Sequence, residues 1–216
     1  MQPMDIVLYG ASGMIGSRIL KELVGRGHRV LAVVRDPSRV AETPGVRAIR
    51  GDMTNATEVA KNLEGADAVI SAYSPGPENA ESLFSAIEAL LYGAQRAAVP
   101  RVLIVGGAAS LFVAPGKTLL ESGHLPREWE AIATAHTRTL EMLRASGTAA
   151  DLEWTYFSPA AFIQPGERTG KFRLGKDDLV TDAQGQSRIS AEDYAVALVD
   201  ELENPRHIRQ RFTIGY

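Results

Sequence analysis

The stretch Asp5-Ile6-Val7-Leu8-Tyr9-Gly10-Ala11-Ser12-Gly13-Met14-Ile15-Gly16, near the amino terminus, decides the fold of this chain. A short apolar run ends at the first of three glycines, which follow one another at intervals of three residues. Residues 17–24 then have the apolar spacing of an amphipathic helix. Strand, tight turn and helix therefore come in the order that a dinucleotide-binding turn requires.

Each glycine of this turn has its own steric reason. Gly10 lets the chain leave the strand sharply, Gly13 removes a side chain where the backbone approaches a pyrophosphate, and Gly16 lets the helix pack closely on the strand. The first N–H groups of the helix, at the positive end of its dipole, then face the phosphates. An ordinary glycine-rich turn is the alternative. The predicted cofactor contacts of the turn are Gly10, Ser12, Gly13, Met14, Ile15 and Gly16.

Composition excludes several classes of function. Of the 216 residues, 45% are hydrophobic and 23% are charged, and a net charge of −3 without a basic run speaks against nucleic acid as a partner. The chain has no cysteine, which excludes disulfides, thiolate metal sites and a cysteine nucleophile, and its four histidines lack metal-ligand spacing. The first residues do not have the pattern of a signal peptide or of a membrane span. We expect a cytoplasmic protein that binds neither metal nor membrane.

Strands and helices alternate along most of the chain. After the first strand, apolar runs predict further strands at 29–34, 46–50, 68–71, 101–105, 152–157 and 211–214. Helices are predicted at 17–24, 54–63, 81–98, 127–146 and, after a capping-box pattern at 190–193, up to residue 202. Residues 111–126 are predicted to be a loop.

This alternation predicts a single α/β domain over residues 1–216. The expected architecture is the Rossmann fold, a right-handed, doubly wound parallel sheet of order 3-2-1-4-5-6 with a possible seventh strand. The segment 161–189 is rich in turns and glycine, and we interpret it as a small cap on the substrate side.

The end of the second predicted strand indicates which dinucleotide binds. An acidic side chain there would accept hydrogen bonds from a ribose 2′-hydroxyl and would repel a phosphate. This chain instead has Arg35, followed one turn later by Arg39. Because arginine pairs bidentately with phosphate, NADP(H) is favoured. If the end of the second strand lies one residue later, Asp36 takes the place of Arg35 and NAD(H) is possible. The alternative for both arginines is a solvated turn without a role in binding.

Further cofactor contacts are predicted at the ends of the other strands. After the third strand, Asp52 would accept from the adenine amino group and Met53 would pack on the adenine ring; a helix cap and a core residue are the alternatives. Around the nicotinamide, beside the point where the strand order reverses, we expect Ala72, Tyr73, Gly106, Gly107, Ser158 and Pro159.

Several segments together resemble one known family. The chain resembles the atypical short-chain dehydrogenases called NADH-flavin reductases, which belong with the NmrA-like proteins and are similar to flavin reductases of the biliverdin reductase B type. The segments concerned are 10–16, Gly51-Asp52, Gly106-Gly107-Ala108-Ala109-Ser110, Pro165-Gly166-Glu167-Arg168-Thr169-Gly170-Lys171 and Ile189-Ser190-Ala191-Glu192-Asp193-Tyr194-Ala195. The resemblance implies binding of NAD(P)H and hydride transfer to a planar acceptor such as a flavin or quinone. It also implies relatives that bind the cofactor without catalysis and act as redox sensors.

The catalytic pair of most short-chain dehydrogenases, Tyr-x-x-x-Lys, is missing. No tyrosine of this chain is followed four places later by lysine. Reduction of a flavin or quinone demands less, because the proton can come from water. The candidate catalytic residues are Ser110, placed to bond the acceptor or the nicotinamide ribose, and His136, placed to donate a hydrogen bond or a proton near pH 7. The alternatives are a turn serine and a packing histidine.

The sequence thus leaves three hypotheses. The first is an NADPH-preferring reductase of a flavin, a quinone or a similar small-molecule acceptor, acting as a monomer or a homodimer. The second is a non-catalytic NADP(H)-responsive regulator of the NmrA type. The third, a sugar-nucleotide epimerase or carbonyl reductase, is disfavoured by the missing Tyr-Lys pair.

Overall fold

The elements of the fold are seen in a computed structural model, which describes residues 2–123, 125–145, 147 and 149–216. The strands are β1 (Asp5–Tyr9), β2 (Arg29–Val34), β3 (Val46–Arg50), β4 (Ala68–Ser71), β5 (Arg101–Val105), β6 (Phe112–Ala114), β7 (Lys117–Thr118), β8 (Glu153–Ser158), β9 (Phe162–Gln164), β10 (Arg173–Gly175), β11 (Arg188–Ser190) and β12 (Gln210–Gly215). The α-helices are α1 (Met14–Gly25), α2 (Ala56–Asn62), α3 (Glu81–Arg96), α4 (Arg127–Arg144) and α5 (Ala191–Glu203). The predicted end of the fourth helix, residue 146, lies outside the described residues.

One large sheet carries the fold. Its strands lie in the order β3-β2-β1-β4-β5-β8-β12-β10. All neighbours in it are parallel except β10, which runs antiparallel to β12. The predicted order is confirmed, with β8 as the sixth strand and β12 as the seventh. The order reverses between β1 and β4, so a crevice opens there at the carboxyl ends of the strands.

Both faces of the sheet are covered by helices, which explains why its strands are continuously apolar. In β1, Val7 and Tyr9 belong to the core cluster that includes α3, whereas Ile6 and Leu8 belong to the cluster that includes α1 and α5. The helices α2, α3 and α4 pack in sequence on the first face, and α1 packs against α5 on the second. The crevice therefore opens at the end of a sheet that is covered by helices on both faces.

Two local predictions differ from the structure. The predicted loop 111–126 contains a short hairpin of β6 and β7 around Gly116, whose φ of +69° favours glycine. The predicted capping box is half formed: the Ser190 hydroxyl accepts from the Asp193 N–H at 3.0 Å, but the Asp193 carboxylate accepts from Thr169 and Tyr216 instead of reaching back.

The loop 165–171, which carried the family resemblance, is fixed to the helices. Gly166 N–H donates to Glu192 at 2.7 Å and Gly170 N–H donates to Asp193 at 2.8 Å, both on α5. Arg168 forms a bidentate ion pair with Glu22 of α1, at 2.9 and 2.8 Å. The polar groups of this motif are thus used to attach the segment to the fold.

Candidate functional site

A cleft of about 760 Å³ opens at the carboxyl ends of β1 to β4. It lies beside the reversal of the strand order, where dinucleotides bind in this type of sheet. The structure brings together here many of the predicted cofactor contacts, namely Gly10, Ser12, Gly13, Arg35, Arg39, Asp52, Met53, Ala72 and Tyr73. The other predicted cofactor contacts do not line this cleft: Met14, Ile15, Gly16, Gly106, Gly107, Ser158 and Pro159.

The glycine turn leaves no room for side chains at two positions. Gly10 has φ +78°, and a Cβ atom on it would lie 2.4 Å from the carbonyl oxygen of Ala72. A Cβ atom on Gly16 would lie 2.1 Å from the carbonyl oxygen of Gly10. At Gly13 the nearest atom would be 3.3 Å away, a milder contact. The steric roles predicted for the sharp turn and for the close helix are thus visible in the structure.

The helix α1 begins at this turn without a side-chain cap. Gly13 is its N-cap residue, and its carbonyl accepts the N–H of Ser17 at 2.9 Å. The N–H groups of Met14, Ile15 and Gly16 find no acceptor within the described residues. Met14, Ile15 and Gly16 therefore offer backbone N–H groups, not side chains, to an anion at the helix start.

Three arginines stand at the far end of the cleft. Arg35 follows β2, Arg39 follows one turn later, and Arg50 ends β3. All three are exposed, and none forms an ion pair with another described residue. Arg50 comes close to Arg35 because the register of the sheet pairs Val34 with Arg50. Arg50 was not among the predicted cofactor contacts.

Asp36, which kept NAD(H) possible, is engaged in the turn itself. Its carboxylate accepts from the Ser38 hydroxyl at 2.7 Å and from the Ser38 N–H at 3.1 Å. These hydrogen bonds, with the charges of Arg39 and Arg50 as smaller contributions, lower the pKa of the Asp36 carboxyl. Asp36 is not part of the cleft lining.

Asp52 and Met53 both border the cleft and also have structural partners. One carboxylate oxygen of Asp52 accepts from the Thr54 N–H at 2.9 Å and from its hydroxyl at 2.8 Å. Met53 is only 2% exposed, and its sulfur accepts from the Ser71 hydroxyl at 3.5 Å. Asp52 therefore stabilises a local turn at Thr54 and is not the cap of α2, whose N-cap is Asn55, whereas Met53 is the core residue that the sequence left open; both still border the cleft.

His136 lies at the carboxyl end of β5, on top of Gly107. A Cβ atom on Gly107 would be 3.0 Å from the Cβ of His136, and a Cβ atom on Gly106 would lie only 2.3 Å from the ring of Tyr156. The Tyr156 hydroxyl lies 3.2 Å from His136 Nδ1, 3.1 Å from the His136 carbonyl oxygen and 3.1 Å from the Gly107 nitrogen. Tyr156 was set aside in the sequence because no lysine follows it; only the sheet brings it to His136.

Burial controls the protonation of this pair. It lowers the pKa of His136 to about 4, so the imidazole is neutral at pH 7. It also raises the pKa of the Tyr156 hydroxyl. The site therefore contains a neutral imidazole against a protonated phenol.

Ser110 and Ser158 meet at a different group, the buried Arg211 of β12. The Arg211 guanidinium donates to both hydroxyl oxygens at 3.4 Å and forms an ion pair with Asp177. Among the described residues, no hydrogen bond joins Ser110 and His136. The Pro159 carbonyl accepts from Thr213 at 3.5 Å, away from the cleft. The structure thus separates the two candidate catalytic residues into two local groups.

The sequence pattern of a family described as NAD(P)H-binding matches residues 10–205. The chain belongs to this NAD(P)H-binding family. The match covers both the glycine turn and the carboxyl-terminal segments. It confirms the predicted nicotinamide cofactor. Together with the relatives that follow, it confirms the resemblance to the atypical short-chain dehydrogenases.

Several known proteins are similar over their whole length. The chain is 40% identical over 214 residues to the "Uncharacterized protein YwnB" of Bacillus subtilis, covering 98% of each. A "putative epimerase" from Bacteroides thetaiotaomicron is 43% identical with a TM-score of 0.93, over 100% of this chain and 98% of that one. A "putative NADH-flavin reductase" from Streptococcus pneumoniae is 33% identical with a TM-score of 0.86, over 98% and 99%.

Within the described ranges, none of the helices combines the length and the apolar character needed to cross a bilayer.

Proposed function

We propose that this protein is an NADPH-preferring reductase that transfers hydride to a flavin, a quinone or a similar conjugated acceptor. The observation that carries the proposal is the group of three exposed arginines, Arg35, Arg39 and Arg50, at the end of the cleft where the adenosine ribose of a dinucleotide would lie. The name of the Streptococcus pneumoniae relative supports a flavin as the acceptor class.

The electrostatics of this group favour a phosphate over a hydroxyl. A guanidinium matches the geometry of phosphate bidentately, and hydrogen bonds to charged groups contribute about 1.5–3 kcal/mol each. The arginines are exposed and screened, so we expect less, about 1.4 kcal/mol or about tenfold in affinity, from one of them. The carboxylate of Asp36, which would oppose a phosphate, is turned toward Ser38.

The chain's own residues would hold the rest of the cofactor. The N–H groups at the start of α1 would bind the pyrophosphate, and the lining from Ala72 to Tyr73 would lie along the path to the nicotinamide. When bound, NADPH supplies the hydride. Arg211 donates to the Ser110 hydroxyl oxygen, which therefore acts as a hydrogen-bond acceptor in this contact. The Ser110 hydroxyl can still donate its own proton to an oxygen of the flavin or quinone.

A titration of both cofactors tests the proposal. NADPH and NADH binding would be followed by fluorescence for the natural chain, for Arg35→Ala and for the matched control Arg47→Ala, an exposed arginine of β3 outside the cleft. We expect Arg35→Ala to weaken NADPH about tenfold and to leave NADH unchanged, with no effect in the control. Equal losses for both cofactors would contradict the 2′-phosphate site.

A panel of acceptors tests the chemistry. NADPH oxidation would be measured with FMN, FAD and a soluble quinone, and at least one of them should be turned over. Tight NADPH binding without oxidation of NADPH by any of them would instead support the non-catalytic regulator.

A further inference from the structure

We infer that Tyr156 fixes the tautomer of His136, with the proton on Nδ1, so that Nε2 is presented as a hydrogen-bond acceptor to a ligand group carrying N–H or O–H. In this arrangement Tyr156 is a positioning residue that acts through the histidine. The tautomer is independent of the proposed function, whereas its use in binding rests on that function.

The contacts of the Tyr156 hydroxyl carry the inference. A phenol offers one proton and accepts through its oxygen lone pairs. The hydroxyl lies within hydrogen-bonding distance of three groups: the Gly107 N–H, the His136 carbonyl and His136 Nδ1. The Gly107 N–H can only donate and the carbonyl can only accept. All three contacts are satisfied together when the phenol donates to the carbonyl and accepts from both Gly107 N–H and Nδ1–H.

The opposite tautomer makes one hydrogen bond fewer. If the phenol donates to an unprotonated Nδ1, its proton is no longer available to the carbonyl oxygen 3.1 Å away. The Tyr156 side chain is fully buried, so water cannot replace the missing contact. Ionised forms do not compete at pH 7, because burial raises the pKa of Tyr156 and lowers that of His136 to about 4.

The other nitrogen of His136 is free for a ligand. His136 is largely buried but keeps part of its surface exposed, and Nε2 has no hydrogen-bond partner within the part of the chain that the structure describes. The ring rests on Gly107, directly after β5. The neighbouring strand β4 leads into Ala72 and Tyr73 of the cleft lining, so the ring lies at the same edge of the sheet as the cofactor cleft.

This assignment changes the role expected from the sequence. A neutral imidazole with its proton held by Tyr156 accepts a hydrogen bond and does not deliver a proton to the reduced acceptor. The ligand group must be a donor, either on the nicotinamide nucleoside of the cofactor (a ribose hydroxyl or the carboxamide N–H) or on the acceptor (a ring N–H). The proton that completes the reduction then comes from solvent.

The tautomer can be observed directly by NMR. Long-range ¹H–¹⁵N spectra of the uniformly ¹⁵N-labelled full chain at pH 7 distinguish the two tautomers, and His136→Gln identifies which signals belong to His136. We expect the Nδ1-protonated pattern in the natural chain and a shift toward the Nε2-protonated pattern in Tyr156→Phe. The matched control is Tyr194→Phe, a buried tyrosine whose hydroxyl donates to the Phe157 carbonyl. An Nε2-protonated His136 in the natural chain would overturn the inference, even if Tyr156→Phe failed to fold.

Binding measurements then locate the donor. His136→Gln keeps an acceptor oxygen near the position of Nε2, whereas His136→Leu removes it, so only the leucine variant should lose about fivefold in affinity, the effect of one hydrogen bond of about 1 kcal/mol. A loss for NADPH but not for 2′,5′-ADP, which lacks the nicotinamide nucleoside, places the donor on the cofactor. A raised KM for the acceptor, with kcat and NADPH affinity kept, places it on the acceptor. Unchanged values for both would contradict the ligand role.

The two proposals fail in different ways. Absence of NADPH preference or of turnover would contradict the proposed function and would leave the NMR result standing. An Nε2-protonated His136 in an active NADPH reductase would contradict only the inference made from Tyr156.

Discussion

The arginines at the two ends of the parallel strands differ in burial and in pairing. At the carboxyl edge, Arg35, Arg39 and Arg50 are exposed and have no carboxylate partner in the described chain. At the amino edge, Arg101 is 5% exposed, and it donates to Glu201 at 3.1 Å and to the Thr155 hydroxyl at 2.7 Å. The paired arginine belongs to the fold, and the unpaired arginines remain available to an external anion.

Burial explains why the two groups should behave differently. Arg101 has exchanged water for protein partners, and Arg101 Nε is the one buried side-chain nitrogen or oxygen without a hydrogen-bond partner among the described residues. Removing one member of such a pair leaves the other charge buried and uncompensated. Removing an exposed arginine leaves nothing buried, so only ligand binding should respond.

The largest expected effect is therefore on stability, at Arg101. Arg101→Met would leave the Glu201 carboxylate buried, supported only by His207 and the N–H groups of 206 and 207. We expect the free energy of unfolding in urea to fall by about 3 kcal/mol. Arg47→Met, at an exposed position, should change it by less than about 0.5 kcal/mol. A loss below about 1 kcal/mol at Arg101 would show that the buried pair is not needed.

The next effect is on cofactor affinity, at Arg50. Arg50→Ala should weaken NADPH about fivefold to tenfold with NADH unaffected, because a guanidinium beside the 2′-phosphate would be lost. The free energy of unfolding should stay within about 0.5 kcal/mol of the natural chain. Fluorescence titration and urea unfolding of the same protein samples give both quantities. A fall in the free energy of unfolding with an unchanged ratio of the NADPH and NADH dissociation constants would mean that Arg50 supports the fold and does not bind the cofactor.

Arg35 and Arg50, two of the three arginines of the cleft, show what a sequence can and cannot predict. Arg35 directly follows a recognisable strand at a position with a known role, so the strand order and the cofactor cleft followed from local patterns. Arg50 comes to the same place only through the pairing of Val34 with Arg50 across β2 and β3. Register is a property of the whole sheet, so no local pattern indicated this third arginine.

The same distinction holds at the other end of the site. Tyr156 meets His136 and Gly107 because α4, β5 and β8 pack together, over sequence separations of 20 and 49 residues. Asp36, in contrast, caps a turn two residues away, through Ser38. The order Asp-Pro-Ser is a local turn signal, and it would have allowed the competing role of Asp36 to be set aside from the sequence.

A smaller effect should follow from salt. Exposed charges are screened over about 10 Å at 0.1 M ionic strength, whereas buried pairs are screened much less. The preference for NADPH over NADH should therefore fall several-fold between low and high salt, measured as the ratio of the two dissociation constants. The preference should depend much less on salt in Arg35→Ala. A ratio that stayed constant in the natural chain would mean that the preference does not come from the exposed arginines.

The smallest expected effect concerns the ion pair of Arg168 with Glu22. Arg168 shares one property with each group of arginines, because it is exposed but has a carboxylate partner. Its ion pair with Glu22, with Arg26 as a second partner, lowers the pKa of the Glu22 carboxyl. A lowered pKa means that the folded state favours the ionised carboxylate, so the stabilisation is present above the usual glutamate value of about 4.3 and is lost as the pH falls below it. Glu22→Gln should therefore cost less than about 1 kcal/mol of unfolding free energy at pH 7, and this difference should shrink in acid.

Glu64→Gln, at an exposed glutamate with no described ion pair, is the control and should show neither the loss nor its pH dependence. A Glu22→Gln difference that stayed constant down to pH 3 would mean that the amide disturbs packing and that the charge of Glu22 contributes nothing measurable.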